Sequence, residues 1–233
     1  MIIKTRWSEK LSLPPGLIIS GKENVSRMIM SPKDEKSANI EDCSICKNQR
    51  CRKGRECYPE INGGIVNKYQ ERDDLEITRA AASVEANHYQ QATRLEETRL
   101  FAKEMGYARL GIATCIGLVD EAQQIAQYLR RDFEVYVIVC KNGGLLKNTL
   151  GLEQIEADKD EFMCNPIGQA LFLNQKETDL NIICGLCVGH DMLFTKYSAA
   201  PVTTIIVKDR VLAHNPAAVL YSSYHRKRVL DLK

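Results

Sequence analysis

The chain has 233 residues, with 32 basic and 30 acidic side chains, a formal net charge of +2, 44% hydrophobic residues and 27% charged ones. That profile is an ordinary globular one and excludes a disordered or collagen-like polymer. The longest apolar run, Val135 to Cys140, falls far short of the roughly 18 to 20 residues of a membrane helix, and so small a charge steers only weakly toward polyanions.

Residues 1–40 form an N-terminal extension, partly irregular. Met1-Ile2-Ile3-Lys4-Thr5-Arg6 carries charges where a secretory signal would place its apolar core, so no export is expected and the compartment read from the sequence is the cytoplasm. Pro14-Pro15-Gly16 and Gly21 punctuate the stretch, and Ser31 to Asn39 reads as a polar link. No chemistry is assigned to it.

Residues 41–66 hold Cys43, Cys46, Cys51 and Cys57, spaced C-x2-C-x4-C-x5-C, with Lys53-Gly54-Arg55 as a turn and almost nothing apolar between them. A chain of this size builds its own core, and nine cysteines in a reducing compartment point away from disulfides and toward metal-bound thiolates. Coordination then replaces the missing core of a small module that is unfolded without its metal. Tetrahedral zinc favours two paired knuckles separated by a longer loop. Tight, unequal spacing in one run also suits a 4Fe-4S iron–sulfur cluster, which is the preferred reading, with zinc as the alternative. Arg50, Arg52, Lys53 and Arg55 offset the negative charge of such a centre. With Tyr58 the one aromatic residue able to stack a base, nucleic acid is not expected as a partner.

Residues 67–106 lack glycine and proline from Lys68 to Met105 and repeat small or apolar residues at helical intervals, as in Ala92, Leu95, Ala102 and Met105. One long or two shorter helices are expected. Glu85, His88, Glu96 and Glu97 belong to a solvated face, with no E-x-x-H pair to suggest a carboxylate site.

Residues 107–233 alternate short β-rich runs with helical segments, the pattern of a parallel sheet with helices packed on it. Strands are expected at 108–113, 133–139, 180–183 and 202–207, and helices from near Asp120, Asn165, His190 and Asn215. Asn165-Pro166 and Asn215-Pro216 both read as helix starts. The fold class is therefore α/β: a Rossmann-like, mostly parallel sheet with helices on both faces, preceded by the Cys-rich module and the helical segment. Two halves echo each other. A strand, Cys115-Ile116-Gly117, a helix, a strand ending Cys140-Lys141, then Cys164-Asn165-Pro166 rhyme with a strand, Cys187-Val188-Gly189, a helix, a strand ending Val207-Lys208, then His214-Asn215-Pro216.

Parallel strands place their carboxyl ends on one edge, so Cys115, Cys140 and Cys187 should converge there. Cys164 joins them from a helix amino end that favours a thiolate. Four thiols at one mouth make a candidate metal site, against the bland reading of small buried core residues. Cys184 is either a spare ligand or a core residue. Gly117 and Gly189 let backbone approach a bound group, and Lys141 lies beside it. His190, Asp191 and His214 are candidates to move protons, and Lys208 and Arg210 to hold a small polar or anionic substrate at an open iron. The expectation is an iron–sulfur-dependent reductase, desulfurase or lyase, with a redox partner feeding the N-terminal centre. The alternatives are a zinc-binding carrier or sensor without catalysis, and a pure electron carrier. Oligomeric state is not readable from the sequence.

Several motifs carry a resemblance. The N-terminal cysteine run, Gly111-Ile112-Ala113 with Cys115-Ile116-Gly117-Leu118, Met163-Cys164-Asn165-Pro166 with Gln169-Ala170, Gly185 to Asp191, and Lys208-Asp209-Arg210-Val211 with His214-Asn215-Pro216 resemble an uncharacterised family described as predicted metal-binding proteins of archaea and anaerobic bacteria. The likeness covers nearly all of residues 43 to 225. It implies metal binding and brings no reaction with it, and residues 1–40 look like an addition to the usual family start.

Overall fold

The structure is a computed structural model that describes residues 42–231, so the readings made of residues 1–40 lie outside the described residues. The chain falls into two compact units divided after Asn67.

In the first unit the cysteine run makes two single turns of 3-10 helix, Cys43–Ile45 and Arg50–Lys53. Gly54 ends the second in the left-handed region, at φ 82°, which fits the turn expected at Lys53-Gly54-Arg55. Two short helices follow, α1 (Pro59–Asn62) and α2 (Ile65–Tyr69), the division falling within α2, and none of these four elements has a buried residue.

The second unit opens with two helices rather than one, α3 (Arg72–His88) and α4 (Arg94–Glu104). Gln90 takes positive φ between them, and Thr93 starts α4 with a capping box: the Glu96 amide donates to Thr93 Oγ1, while the Thr93 amide donates to Glu96 Oε2 at 2.8 Å. The sheet has four strands, β1 (Arg109–Thr114), β2 (Glu134–Val139), β3 (Leu180–Cys184) and β4 (Val202–Ile206), each within a residue or two of the expected bounds. All pairs are parallel, and the order is β2-β1-β3-β4.

Period-2 alternation divides the strands between two faces. On one face Ala113 and Ile183 pack with Ala170 and Leu173 of α6 (Pro166–Gln175) and Phe194 of α7 (His190–Tyr197). Gly111 lies on this face because a Cβ there would meet Asn181 Oδ1 at 2.1 Å and Leu173 Cδ1 at 2.7 Å. The opposite face, with the fully buried Leu110 and Ile112, is left to α5 (Val119–Leu129), whose Ala122, Ile125, Ala126 and Leu129 form the helical stripe that buries against it. α4 reaches the same side through Arg94, which donates to Thr203 Oγ1 of β4 at 2.8 Å. Helices on opposite faces are what right-handed crossovers require when the first connection runs outward from β1 to β2 and the last outward from β3 to β4. Each half of the echo thus begins at the centre and ends at an edge, a two-fold-like sheet.

The last helix start differs from expectation. Residues 210–214 form a turn in which Ala213 and His214 both have positive φ, and α8 (Ala218–Tyr221) begins only after Ala217. Asn165 caps α6 by accepting from the Gly168 amide at 2.9 Å, whereas the Asn215 carbonyl, not its side chain, accepts from Ala218. With four residues α8 is barely a turn, and Ser222 caps α9 (Ser223–Leu230) directly after it.

Candidate functional site

The chain reverses its direction of travel across the sheet between β1 and β3, which makes their carboxyl ends the switch point where open α/β sheets form a crevice. Cys115 leaves β1 there, Cys140 leaves β2 beside it, and Cys187 follows β3 by three residues. In register Thr114 pairs with Cys184, so the counterpart of Cys115 is Gly185, and Cys187 lies farther along its loop. Gly185 has φ 74°, and a Cβ on it would sit 1.9 Å from Leu118 Cδ1, so glycine lets the two switch-point loops pack together.

Cys164 is brought in by the polar framework at the start of α6. Its neighbour Asn165 donates its amide to the Cys140 carbonyl at 2.8 Å and its side-chain Nδ2 to Asn142 Oδ1 at 3.0 Å. Asn142 in turn donates to the Val139 carbonyl at 2.8 Å, which ties the end of β2 to the start of α6. Gln169 braces the same region from within α6. Fully buried, it donates from Nε2 to the carbonyls of Thr114, at 3.0 Å, and Ile138, at 2.8 Å, where β1 and β2 end. Neither Asn142 nor the bracing role of Gln169 was singled out from the sequence. The available signals were two asparagines flanking the 140–165 loop and a glutamine within the apolar stretch Ile167 to Leu173.

The thiols form a trio and a fourth member. Cys140, almost fully buried, accepts from the Ile116 amide at 3.3 Å and interacts with the thiols of both Cys164 and Cys115. Its thiol is pushed well up by donating to Cys164 and by burial. Cys164 is drawn down to about 7, first by that donated hydrogen bond and then by Lys141, with burial opposing. Cys187 and Cys115 oppose that fall, and the Cys187 Sγ accepts from Arg210 Nη2 at 3.1 Å. The Arg210 guanidinium is held further toward its charged form by that contact and by the nearby Cys115 and Cys164. Cys184 is a core residue: it lies inside β3 with no exposure, and its carbonyl accepts from Thr114 Oγ1 at 3.0 Å.

The polar groups expected at this edge are distributed unevenly. Lys208 comes over Gly117, where a Cβ would lie 3.5 Å from its Nζ, and Lys141 donates to the Phe162 carbonyl within range of Cys164. His190 opens α7 after Gly189, at φ 85°. Burial pulls its imidazole below the usual range, assisted by Lys141, Arg210 and Lys147 and opposed by Asp191. Asp191 Oδ1 accepts from the Met192 amide at the helix start. His214 is turned inward instead, its Nδ1 accepting from the Asp209 amide at 3.1 Å, while Asp209 Oδ1 takes the amides of Val211 and Leu212. That knot closes the turn after β4.

In the first unit, Cys43, Cys46, Cys51 and Cys57 all line one cavity of about 460 Å³, together with Tyr58 and the arginines of the run. Cys43 Sγ lies 3.9 Å from the Tyr58 hydroxyl, and the Cys57 thiol donates to the Arg55 carbonyl at 3.8 Å. Among the described residues, no group of three or more His, Cys, Asp or Glu side chains is placed to hold a metal ion.

The fold and the edge together define an α/β protein with a small parallel sheet whose switch-point edge carries cysteine residues on its loops. The chain belongs to the family described as "Protein of unknown function (DUF1847)", which matches residues 55–205. That match takes in Cys57 and the five cysteines from Cys115 to Cys187, begins after Cys43, Cys46 and Cys51, and ends before Lys208, so it is shorter than the 43 to 225 span of the sequence motifs. The chain is 48% identical over 191 residues to an uncharacterised protein of the archaeon Methanocaldococcus jannaschii, MJ0455, an alignment covering 82% of this chain and 99% of that one. No solved structure matches the chain. No helix among the described residues is long and apolar enough to cross a membrane.

Proposed function

We propose that this is an iron–sulfur protein of the reducing cytoplasm, with a working centre at the switch-point edge. Cys115, Cys140 and Cys164 would hold it, leaving one corner open beside Cys187. The observation that carries the reading is the position of Cys140: one buried thiol that shares hydrogen bonding with two others arriving on separate loops. An all-sulfur donor set is soft and selects zinc, copper(I) or iron–sulfur over hard cations. The three cations Lys141, Lys208 and Arg210 would offset the charge of such a thiolate-bound group. A bound cluster would supply electron transfer and, at an iron with an open position, Lewis-acid polarisation.

The chain's own groups take the other roles. Arg210 and Lys208 would hold a small anionic substrate at the mouth, and His190, with Asp191 beside it, would move a proton. His214 is engaged in its turn through Nδ1 and is left with that structural task. In the first unit the four cysteines line one cavity, and an iron–sulfur cluster is the group proposed for it. This second centre would pass electrons from a redox partner and brace a module without a buried core. The class of reaction is reductive or sulfur-handling.

Anaerobic purification followed by iron, zinc and acid-labile sulfide analysis tests this. Iron with matching sulfide is the expected result; zinc without sulfide overturns it in favour of a structural or carrier protein.

A further inference from the structure

The four edge thiols are not equivalent, and the difference bears on which one meets substrate. Cys115 and Cys140 are 8% and 2% exposed, and Cys164 is engaged with Cys140. Cys187 lies at the rim, followed by Val188 at 82% exposure and a glycine. Its backbone is pinned, because its carbonyl accepts the amides of His190, at 2.9 Å, and Asp191, at 3.1 Å, at the start of α7. Its side chain is thus presented from a fixed point toward Arg210, in a hydrogen bond exposed to solvent.

A cationic N–H donor directed at a sulfur stabilises the negative charge that gathers there when the sulfur attacks or leaves. Lys208, over Gly117 on the facing loop, adds a second cation for an anionic donor or leaving group.

Building on the edge-centre reading, we infer that Cys187 is the working thiol of the site, which takes a sulfane sulfur from a persulfide or polysulfide and presents it to the centre held by the other three cysteines. Arg210 acts as its positioning residue. In the step, Cys187 Sγ attacks the terminal sulfur of the donor and a new S–S bond forms. The donor's own S–S bond breaks, its electron pair leaves with the shortened donor as a thiolate or shorter polysulfide, and any proton on the transferred sulfur stays there. No external oxidant or reductant is required, because the oxidation level passes from donor to cysteine with the sulfur.

The test uses the full chain purified without oxygen and inorganic tetrasulfide as the probe. After blocking with iodoacetamide, mass spectrometry locates any added sulfur atom, and iron and sulfide are measured on the same samples. One sulfur on the Cys187 peptide is expected, absent in Cys187→Ser, while that variant keeps its iron and sulfide. Arg210→Gln should slow capture about tenfold or more at unchanged metal content and melting temperature. Loss of iron from Cys187→Ser equal to that from Cys140→Ser makes Cys187 a fixed ligand and overturns the inference, leaving the centre in place. Sulfur found on Cys164, on the N-terminal cysteines or nowhere also overturns it. A wild-type protein without iron or sulfide removes the edge-centre reading instead, and the labelling pattern of that same protein still decides the role of Cys187.

Discussion

Gly111 shows how closely β1 is packed under α6: with Asn181 Oδ1 2.1 Å and Leu173 Cδ1 2.7 Å from the place of a Cβ, Gly111→Ala must push both aside. The expected cost is about 1–3 kcal/mol, read as a lower urea midpoint with unchanged slope. Gln169 is a second case. Gln169→Leu keeps the bulk and strips the donors from the Thr114 and Ile138 carbonyls, for about 1–3 kcal/mol in the same measurement. Tyr107 gives a pH signature. Burial, with Asp179, Asp73 and Glu76 adding to it, pushes its hydroxyl up from 10.0 to about 12. The unfolded phenol ionises first, so the associated stability is whole below pH 10 and is lost as pH rises toward 12, by about 2–3 kcal/mol. Tyr107→Phe should remove that part of the alkaline slope. Of these three positions the sequence marks only Gly111 and Gln169, as parts of longer motifs. What each touches lies tens of residues away along the chain and has no local periodic sign.

At the level of elements, the strands were readable because β-branched runs bounded by turn residues leave few alternatives, and β1 to β4 emerge close to where those runs place them. The break between α3 and α4 was left open, although Thr93-Arg94-Leu95-Glu96 carries the capping-box spacing that makes it; Thr93→Ala is expected to cost about 1 kcal/mol in thermal or urea unfolding. The two Asn-Pro pairs look alike in sequence and part ways in the fold. Asn165 has a glycine three residues on, whose missing Cβ leaves room for the asparagine side chain, since a Cβ on Gly168 would lie 2.2 Å from Asn165 Nδ2. Asn215 follows a left-handed His214 already committed to the Asp209 knot, and that tertiary turn overrides the local signal. Asn165→Ala should therefore loosen α6 and Cys164 together. The checks are an unfolding loss of about 1 kcal/mol and faster alkylation of Cys164 in metal-free protein.

Across the whole molecule, the placement of Cys115, Cys140 and Cys187 beyond the carboxyl ends of β1, β2 and β3 was foreseeable from one topological rule, that parallel strands end on the same edge, and Cys164 from the start of α6. The hydrogen bond from Arg210 to Cys187 was not, because it depends on Arg210 arriving from beyond β4, and the register sets Gly185, not Cys187, opposite Cys115. The two units also differ in what holds them together. The cysteine run has no buried residue, whereas the sheet unit has a continuous aliphatic core. Stripping metal with a chelator should therefore abolish protection of the 43–57 segment from proteolysis while the sheet unit keeps a cooperative melt. Cys115→Ala should empty the edge centre and spare the N-terminal one; parallel loss of both in metal analysis would contradict two separate sites.

Cys184, sealed inside β3, has a practical consequence. No alkylating reagent reaches it while the sheet stays closed, so in chain stripped of metal its modification proceeds only through molecules that have opened. Under conditions where reclosing outpaces the reagent, the slow rate at that single sulfur measures the population of open protein in plain buffer. The domain thus carries its own gauge of conformational integrity a few residues from the crevice, and the same mass-spectrometric experiment that follows Cys187 can read it.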